Sequence, residues 1–265
     1  LKVLFGMTLA DVDPATAKAQ VEAGSPKAIS STAQNAIMKY GSTPSNNPMY
    51  ANFVTAKRND YVASKFMMDQ LLSNADPRLT SYYGRSSAGK YVGAVMGVQT
   101  TFSTVSGPST KDSASSLPYV VLDYSEMEFL RAEAVARGFN VGGTVQSHYE
   151  EGIRQSIKYW GGADTSVARY LADPSVAYAT AVGTDLQKIA LQKWISLYNH
   201  PDHEWVDIRR LDWPQLPAPV AAISGFPNRL YYPQTEQTLN GANYSQAASA
   251  IGGDKVETKL FWDKN

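Results

Sequence analysis

The clearest pattern along the chain is a helical repeat of apolar positions in DYSEMEFLRAEAVARG, residues 123–138. The apolar positions recur at i, i+3 and i+7 and are Met127, Leu130 and Ala134. Ser125 and Glu128 have the spacing of a capping box, and Gly138 stands where a C-terminal cap is expected. The pattern predicts an amphipathic helix over this segment.

The same periodicity continues through the next part of the chain. A Gly-Gly connection leads to a second stripe, which consists of Tyr149, Ile153, Ile157 and Trp160. A third helix is predicted to start at Thr184 with Gln187 as its capping partner, and EWVDIRR predicts a fourth helix that ends by Pro214. Helices joined by short loops are typical of tetratricopeptide-like pairs.

The first 40 residues also predict a helix pair. One helical face is formed by Leu1, Leu4, Phe5 and Leu9. A second helix is expected from Asp13-Pro14 to Gly24. The opening apolar run is short and is broken by Thr8, so we interpret it as the tail of a helix cut from a longer chain and not as a signal peptide.

Residues 41–118 have a different character and predict a loop-rich insertion. One helix is expected in DYVASKFMMDQLLSN, with Val62, Phe66, Met67 and Leu71 on a shared face and a break at Asp76-Pro77. The segment from Tyr91 to Phe102 is rich in β-branched residues and predicts an extended ribbon. Ligand contacts concentrate in such loop-rich regions.

Within the insertion, Gly84, Gly89 and Lys90 match most of the phosphate-binding loop G-x-x-x-x-G-K-[ST]. The residue that follows is Tyr91, which cannot supply the magnesium-binding hydroxyl of Ser or Thr at a helix start. We therefore interpret the segment as a flexible loop before an extended stretch.

Composition and charge exclude several classes of protein. The chain has 265 residues, 24 of them basic and 24 acidic, and its net charge is zero. Without a basic block it lacks the electrostatic footprint of a nucleic-acid or anionic-membrane binder. Without cysteine it has no disulfide, no thiolate metal site and no cysteine nucleophile.

Two groups of polar residues were weighed as chemical sites. His200 and His203 are three residues apart and flank a proline, whereas a helical zinc pair needs histidines four apart, so a helix-breaking turn is favoured. Glu126, Glu128 and Glu133 were considered as glycosidase carboxylates. Glu128 and Glu133 have helix-capping and ion-pairing roles instead, so we expect neither an enzyme nor a cofactor or metal.

Several motifs together resemble the SusD/RagB family of Bacteroidetes outer-membrane lipoproteins. These are YVVLDYSEMEFLRAEAVARG, YEEGIRQSIKYWG, KIALQKWISLY, EWVDIRR, FPNRLYYPQTEQTLNGANYSQA and GGDKVETKLFWD, with DVDPATAK, NPMYANF and NADPRL. The resemblance covers essentially the whole chain, which corresponds to roughly the C-terminal half of a member. It implies one SusD-like domain portion over 1–265: a helix pair (1–40), the insertion (41–118), and helix pairs with a closing tail (119–265).

The resemblance implies a mainly α fold of tetratricopeptide-like pairs, a SusD-like α-α superhelix with little β-structure. It also implies a surface-exposed outer-membrane lipoprotein that captures oligosaccharide for a SusC-like TonB-dependent transporter. The lipid anchor would precede this chain. A peptide-binding RagB-like protein and a glycan-cleaving enzyme are the alternatives.

Two sets of residues receive predicted roles. Ligand contacts are predicted in the insertion, where aromatic rings lie beside hydrogen-bonding groups: Asn47, Tyr50, Asn52, Phe53, Arg58, Asp60, Tyr83 and Tyr91. Structural roles are predicted for Glu133, Arg137, Trp194, Trp205, Arg209, Arg210, Arg229 and Trp262. For Tyr50 and Phe53, anchoring of the loop to the core is an alternative role.

Overall fold

The computed structural model describes residues 1–41 and 45–264, and this described part is mainly helical. Its twelve α-helices are α1 (Lys2–Thr8), α2 (Pro14–Gly24), α3 (Pro48–Tyr50), α4 (Lys65–Ser73), α5 (Leu79–Tyr82), α6 (Tyr124–Ala136), α7 (Val145–Tyr159), α8 (Asp164–Leu171), α9 (Asp185–Ser196), α10 (Pro201–Leu211), α11 (Gln234–Leu239) and α12 (Gly241–Ala250). Its strands are β1 (Ala36–Met38) and β2 (Tyr119–Leu122). None of the helices in these ranges has the length and apolar character needed to cross a bilayer. The prediction of a mainly α fold with little β-structure is confirmed.

The first helix pair, α1 and α2, packs through a face other than the predicted one. Leu1 and Phe5 of the predicted face are exposed, and Leu4 and Leu9 are half-buried. The buried residues of this segment are Val3, Met7 and Ala10. The reason is Gly6, where a Cβ would lie 2.8 Å from a methyl of Val21. Helix α2 approaches most closely at this glycine, and the face around it becomes the buried one.

Helices α6 and α7 form the central pair, and the predicted cap of α6 is wrong. Asp123 is the N-cap, because its carboxylate accepts a hydrogen bond of 2.7 Å from the Glu126 backbone N–H. Ser125 lies in the first turn of α6 and donates its hydroxyl to the Gly152 carbonyl on α7 at 2.8 Å. The predicted stripe of α7 is confirmed, since Tyr149, Ile153, Ile157 and Trp160 are all buried.

Helix α9 begins and α10 ends as the sequence predicts, but α10 begins earlier, because Pro201 is its first residue and not part of a break before it. Thr184 accepts from the Gln187 N–H while the Gln187 side chain accepts from the Thr184 N–H, which is a complete capping box. Helix α10 ends at Leu211, and Asp212 follows it in the left-handed conformation with φ of 47°. The α9–α10 junction thus lies at a fixed turn around His200 and Pro201.

The single small sheet of the described part lies outside the predicted ribbon. Strands β1 and β2 pair antiparallel, with Met38 opposite Tyr119. The ribbon from Tyr91 to Phe102 makes only an isolated bridge at Ala94. It packs by its backbone instead: a Cβ at Gly93 would lie 2.7 Å from the Lys65 nitrogen. Close backbone approach replaces strand pairing here.

Arg78 fastens the insertion to the helix pairs. Its side chain is fully buried and bonds to Asp76 through Nε at 2.9 Å and Nη2 at 2.6 Å. The same guanidinium donates to Ser156 of α7 at 3.1 Å and to Gln192 of α9 at 3.1 Å, and it lies 5.5 Å from the Tyr170 ring of α8. One side chain therefore bonds to three segments of the core.

Buried ion pairs join the end of α1 to α6, α9 and α10. The pairs are Arg137–Asp11, Arg137–Glu133, Arg210–Glu133, Arg210–Asp207, Lys193–Asp207 and His203–Glu126. Arg210 contacts both Glu133 and Asp207, the latter at 2.8 Å, and its side chain is 1% exposed. These contacts place Glu133 and Arg210 in the interior and the half-buried Arg137 at its edge.

The remaining residues with predicted structural roles also pack against the protein. Arg209 lies between two rings, 3.9 Å from the Trp205 centroid and 4.9 Å from the Trp262 centroid. Arg229 bonds to Asp254 at 2.5 Å. Trp194 is 5% exposed and packs edge-on against another ring of the core. These contacts tie α10 to the closing tail and α9 to the insertion.

Candidate functional site

Asn47 anchors the insertion near its start. Asn47 caps α3 by accepting from the Met49 N–H at 2.7 Å, and its amide donates to the Leu117 carbonyl at 2.7 Å. The Asn47 side chain is therefore buried and engaged, and it anchors the loop. A π-helical segment, Ala51–Thr55, continues α3.

Four side chains after this anchor form a group that we call the surface cluster: the half-buried Phe53 and the exposed Arg58, Asp60 and Tyr61. The Phe53 and Tyr61 ring centroids are 5.4 Å apart, and the Arg58 guanidinium carbon lies 5.4 Å from the Tyr61 centroid. Arg58 donates through Nε and Nη2 to both carboxylate oxygens of Asp60. The ion pair is open to solvent, with side-chain exposures of 48% and 50%. Aromatic faces and a charged pair thus share one surface.

Hydrogen bonding fixes the charge state of the cluster. The bond from Arg58 lowers the pKa of the Asp60 carboxyl, and the same bond raises the pKa of Arg58. Both groups remain ionised at neutral pH, so the cluster presents guanidinium N–H donors and carboxylate acceptors together. Tyr50 and Asn52 lie beside it on the half-exposed helical segment, and the Asn52 carbonyl accepts from the Arg58 N–H at 2.9 Å.

Two of the predicted contact residues lie elsewhere. Tyr83 is 8% exposed and packs edge-on against Tyr198 with ring centroids 5.4 Å apart, so the structure places it in the core. Its ring completes an apolar layer of the core. Burying an aromatic side chain lowers the free energy more than leaving it in contact with water. Tyr91 is half-buried beneath Arg85, whose guanidinium carbon lies 4.5 Å from the ring centroid.

The structure brings together Tyr50, Asn52, Phe53, Arg58 and Asp60 on one stretch, and it adds Tyr61, which the sequence interpretation missed. The signal that was missed is the position at which helix α4 starts. Ser64 is the N-cap of α4 and accepts from the Met67 N–H at 3.2 Å, so Tyr61 precedes the helix. Tyr61 is therefore free to extend an exposed ring, which is 40% accessible.

A second concavity lies where β2, the Asn47–Met49 turn and the α9–α10 junction meet; we call it the His200 groove. It encloses about 240 Å³. Its aromatic walls are Tyr40, Tyr119, Tyr159, Trp160 and Tyr198. The His200 ring stacks on Tyr119 with centroids 5.9 Å apart. The sequence interpretation considered His200 only as a metal ligand.

The carboxylates and histidines considered from the sequence are held in ion pairs or stacks. Glu126 bonds to the ring of His203 at 3.0 Å. Glu128 pairs with Arg131 and with the ring of His148 at 2.6 Å, and Glu133 pairs with Arg137 and Arg210. Residues 1–41 and 45–264 contain no group of three or more metal-ligating side chains.

Comparison with known proteins defines the class to which this fold and surface belong. Residues 1–233 match the SusD-like family model described as starch-binding and associating with the outer membrane. The chain belongs to the SusD/RagB family. No curated protein matches the chain.

Solved structures from the family superpose over the whole chain. A SusD homologue from Bacteroides uniformis is 27% identical with a TM-score of 0.86, and the alignment covers 100% of this chain and 63% of that one. A chitin-binding SusD homologue from Flavobacterium johnsoniae is 26% identical with a TM-score of 0.82, over 100% and 62%. A SusD homologue from Parabacteroides distasonis is 25% identical with a TM-score of 0.86, over 100% and 64%. This chain therefore spans less than two thirds of the length of these relatives.

Proposed function

We propose that this protein is a non-catalytic, surface-exposed lipoprotein of the outer membrane that captures oligosaccharide for import through a SusC-like TonB-dependent transporter. Membership of a family described as starch-binding and associating with the outer membrane supports the glycan and the location. A chitin-binding relative of the same fold supports the class of ligand.

The observation that carries the proposal is the surface cluster. Sugars present apolar ring faces, which stack on aromatic rings, and hydroxyl groups, which need both donors and acceptors. Phe53 and Tyr61 supply the rings, and the Arg58–Asp60 pair supplies the donors and acceptors at the same surface. A sugar hydroxyl can accept from Arg58 and donate to Asp60 without separating the two charges.

The state of the buried carboxylates supports binding without cleavage. Glycoside hydrolysis uses two carboxyl groups that flank an accessible bond. Glu126 and Glu133 are each about 1% exposed in their side chains, and Glu128 is 6% exposed. Their partners are cationic side chains and histidines of the core, so these three groups serve packing.

The test is calorimetric titration of the protein with chito-oligosaccharides, malto-oligosaccharides and short peptides. We expect at least one glycan series to bind and the peptides not to bind. Phe53→Ala and Tyr61→Ala should each weaken glycan binding about ten- to a hundredfold. Tyr231→Ala is the matched control, because Tyr231 is a 58% exposed ring outside the cluster.

Three results would overturn the proposal. Peptide binding without glycan binding would favour the RagB-like alternative. Reducing ends released from a bound glycan would show an enzyme. Glycan affinity that is unchanged in both ring variants would remove the cluster from the ligand site.

The transporter and the anchor need a separate experiment in the native bacterium. We expect the protein to fractionate with the outer membrane, to be cleaved by protease added to whole cells, and to co-purify with a TonB-dependent barrel. Recovery in the periplasm after gentle lysis would contradict the location, and purification without a barrel would contradict the partner.

A further inference from the structure

The His200 groove has a chemistry that the surface cluster does not explain. Its lining comes from β2, the turn after Asn47 and the α9–α10 junction, and it contains neither Phe53 nor Tyr61. Its volume of about 240 Å³ is smaller than the roughly 300 Å³ at which pockets for drug-sized ligands begin. The space therefore suits a small ligand of about one ring.

His200 is the polar group most clearly held for a ligand. The residue is 8% exposed, and its ring has no hydrogen-bond partner among residues 1–41 and 45–264. Its backbone is fixed, because the His200 N–H donates to the Leu197 carbonyl at 2.7 Å and Pro201 follows. The two ring nitrogens are not among the fully buried unpaired atoms, so they reach water in the groove and can exchange that water for the hydroxyls of a ligand.

The protonation state of His200 restricts the ligand. Burial lowers the pKa of the imidazole, which keeps the ring neutral at pH 7. A neutral imidazole has one N–H donor and one acceptor nitrogen. Hydroxyl groups both donate and accept, so they match this ring at either nitrogen.

The walls of the groove restrict the ligand further. Tyr119, Tyr159 and Trp160 supply aromatic surface. Among the described residues that line the groove, Asp123 carries the one carboxylate, and none is a lysine or arginine. A carboxylate or phosphate ligand would lose its hydration there without gaining a cation. The lining favours an uncharged molecule with one apolar face and several hydroxyls.

We propose that the His200 groove is a second saccharide site, which binds one uncharged sugar ring through hydrogen bonds to the His200 imidazole and contacts with the aromatic walls. This site is separate from the surface cluster and does not depend on it. A glycan chain held at the cluster and a single ring held at the groove are distinguishable by experiment.

Histidine resonances provide the readout. The 265-residue chain contains three histidines, so its imidazole carbon–proton spectrum is simple and each signal is assigned by a single substitution. Glucose and N-acetylglucosamine are the probes, titrated separately. We expect a saturable shift of the His200 signal, with the signal of His148 unmoved because that ring is bonded to Glu128 and Gly142.

Variants separate the groove from the cluster. His200→Phe keeps the ring stack and removes both nitrogens, and Tyr159→Phe removes one hydroxyl; each should weaken sugar binding about five- to tenfold by saturation-transfer measurement. Tyr232→Phe is the control for loss of a hydroxyl outside the groove. Tyr61→Ala should leave the His200 shift unchanged.

Three outcomes would overturn the inference. The first is a His200 signal that neither sugar moves. The second is a shift caused only by an apolar peptide. The third is sugar affinity that is unchanged in both His200→Phe and Tyr159→Phe. If His200→Phe does not fold, His200→Leu also removes both nitrogens, and together with Tyr159→Phe it gives the same decision.

Discussion

The insertion contains the same pair of residues twice, in opposite surroundings. Arg58 and Asp60 are separated by one residue, and so are Asp76 and Arg78. Both guanidinium groups make two-pronged contacts with their carboxylate, and both lie about 5.5 Å from a tyrosine ring, at 5.4 Å and 5.5 Å. One pair is half-exposed, and the other has side-chain exposures of 0%.

The difference between the pairs lies in the remaining contacts. Arg78 also bonds to Ser156 and Gln192, so its charge is satisfied by protein alone. Among the described residues, Arg58 bonds through its side chain to Asp60 only, and its remaining N–H groups face solvent. The same ion pair therefore stabilises the core where protein surrounds it, as at Arg78. It is available to a ligand where water surrounds it, as at Arg58.

The largest expected effect tests the buried pair. Arg78→Met should lower the free energy of unfolding by about 3 to 5 kcal/mol, because it leaves the Asp76 carboxylate buried without a cation. Urea unfolding measures the change. Arg58→Met is the matched control and should stay within about 0.5 kcal/mol of the parent. Equal stability of the two variants would show that burial does not distinguish the contributions of the two ion pairs to stability.

A half-buried acid for which the described residues supply no salt bridge provides a third case. Burial raises the pKa of Glu204 to about 7, above its ordinary value of 4.5. The folded state binds this proton more tightly, so the stabilisation is complete below pH 4.5 and is lost as the pH rises through about 7.

Glu204→Gln should remove that dependence. Between about pH 5 and pH 8 we expect the parent to lose on the order of 2 kcal/mol more stability than the variant. Urea unfolding across this range measures both. Parallel curves for the two proteins would show that Glu204 titrates normally.

The ring of Tyr61, which neighbours the exposed pair, should contribute to glycan binding. Tyr61→Phe keeps the aromatic face and should retain glycan affinity within about threefold, whereas the loss on Tyr61→Ala corresponds to about 1 to 3 kcal/mol. Melting temperatures should agree among the three proteins. A lower melting temperature for Tyr61→Ala would assign the ring to packing.

The smallest expected effect concerns the geometry of the exposed pair. Arg58→Lys keeps the charge but cannot form the two-pronged contact with Asp60. We expect glycan affinity to fall about two- to fourfold, with stability unchanged within about 0.5 kcal/mol. Affinity equal to that of the parent would show that only the charge of Arg58 contributes.

Local signals in the sequence predicted most of the helical framework. The Thr184–Gln187 capping box and the apolar stripe of α7 depend on residues a few positions apart, and both are confirmed. The cap of α6 failed because Ser125 and Asp123 both have capping side chains, and only the packing of Ser125 against Gly152 decides between them. The sheet was missed because β1 and β2 pair across about 80 residues.

The candidate site was predictable in composition but not in geometry. The sequence singled out Phe53, Arg58 and Asp60 because aromatic and charged residues alternate in a loop-rich region. It could not separate the half-buried Phe53 from the buried Tyr83, because only tertiary packing distinguishes these two aromatic residues. It gave no sign of the His200 groove, whose walls come from distant parts of the chain.

The pairing of Met38 with Tyr119 has a consequence for variation of this surface. This pairing brings together the two ends of the segment between Met38 and Tyr119. Within that segment, the bridge between Tyr83 and Pro108 holds the ends of the inner loop 84–107 together. The entropy of closing a loop grows only with the logarithm of its length, about 0.6 kcal/mol for each doubling. The buried Val105 and Ser106 and the close backbone contact at Gly93 fix most of this inner loop. The exposed stretch 97–101 can therefore change in length with little loss of stability, and a new recognition surface can evolve there while the helical framework keeps its sequence.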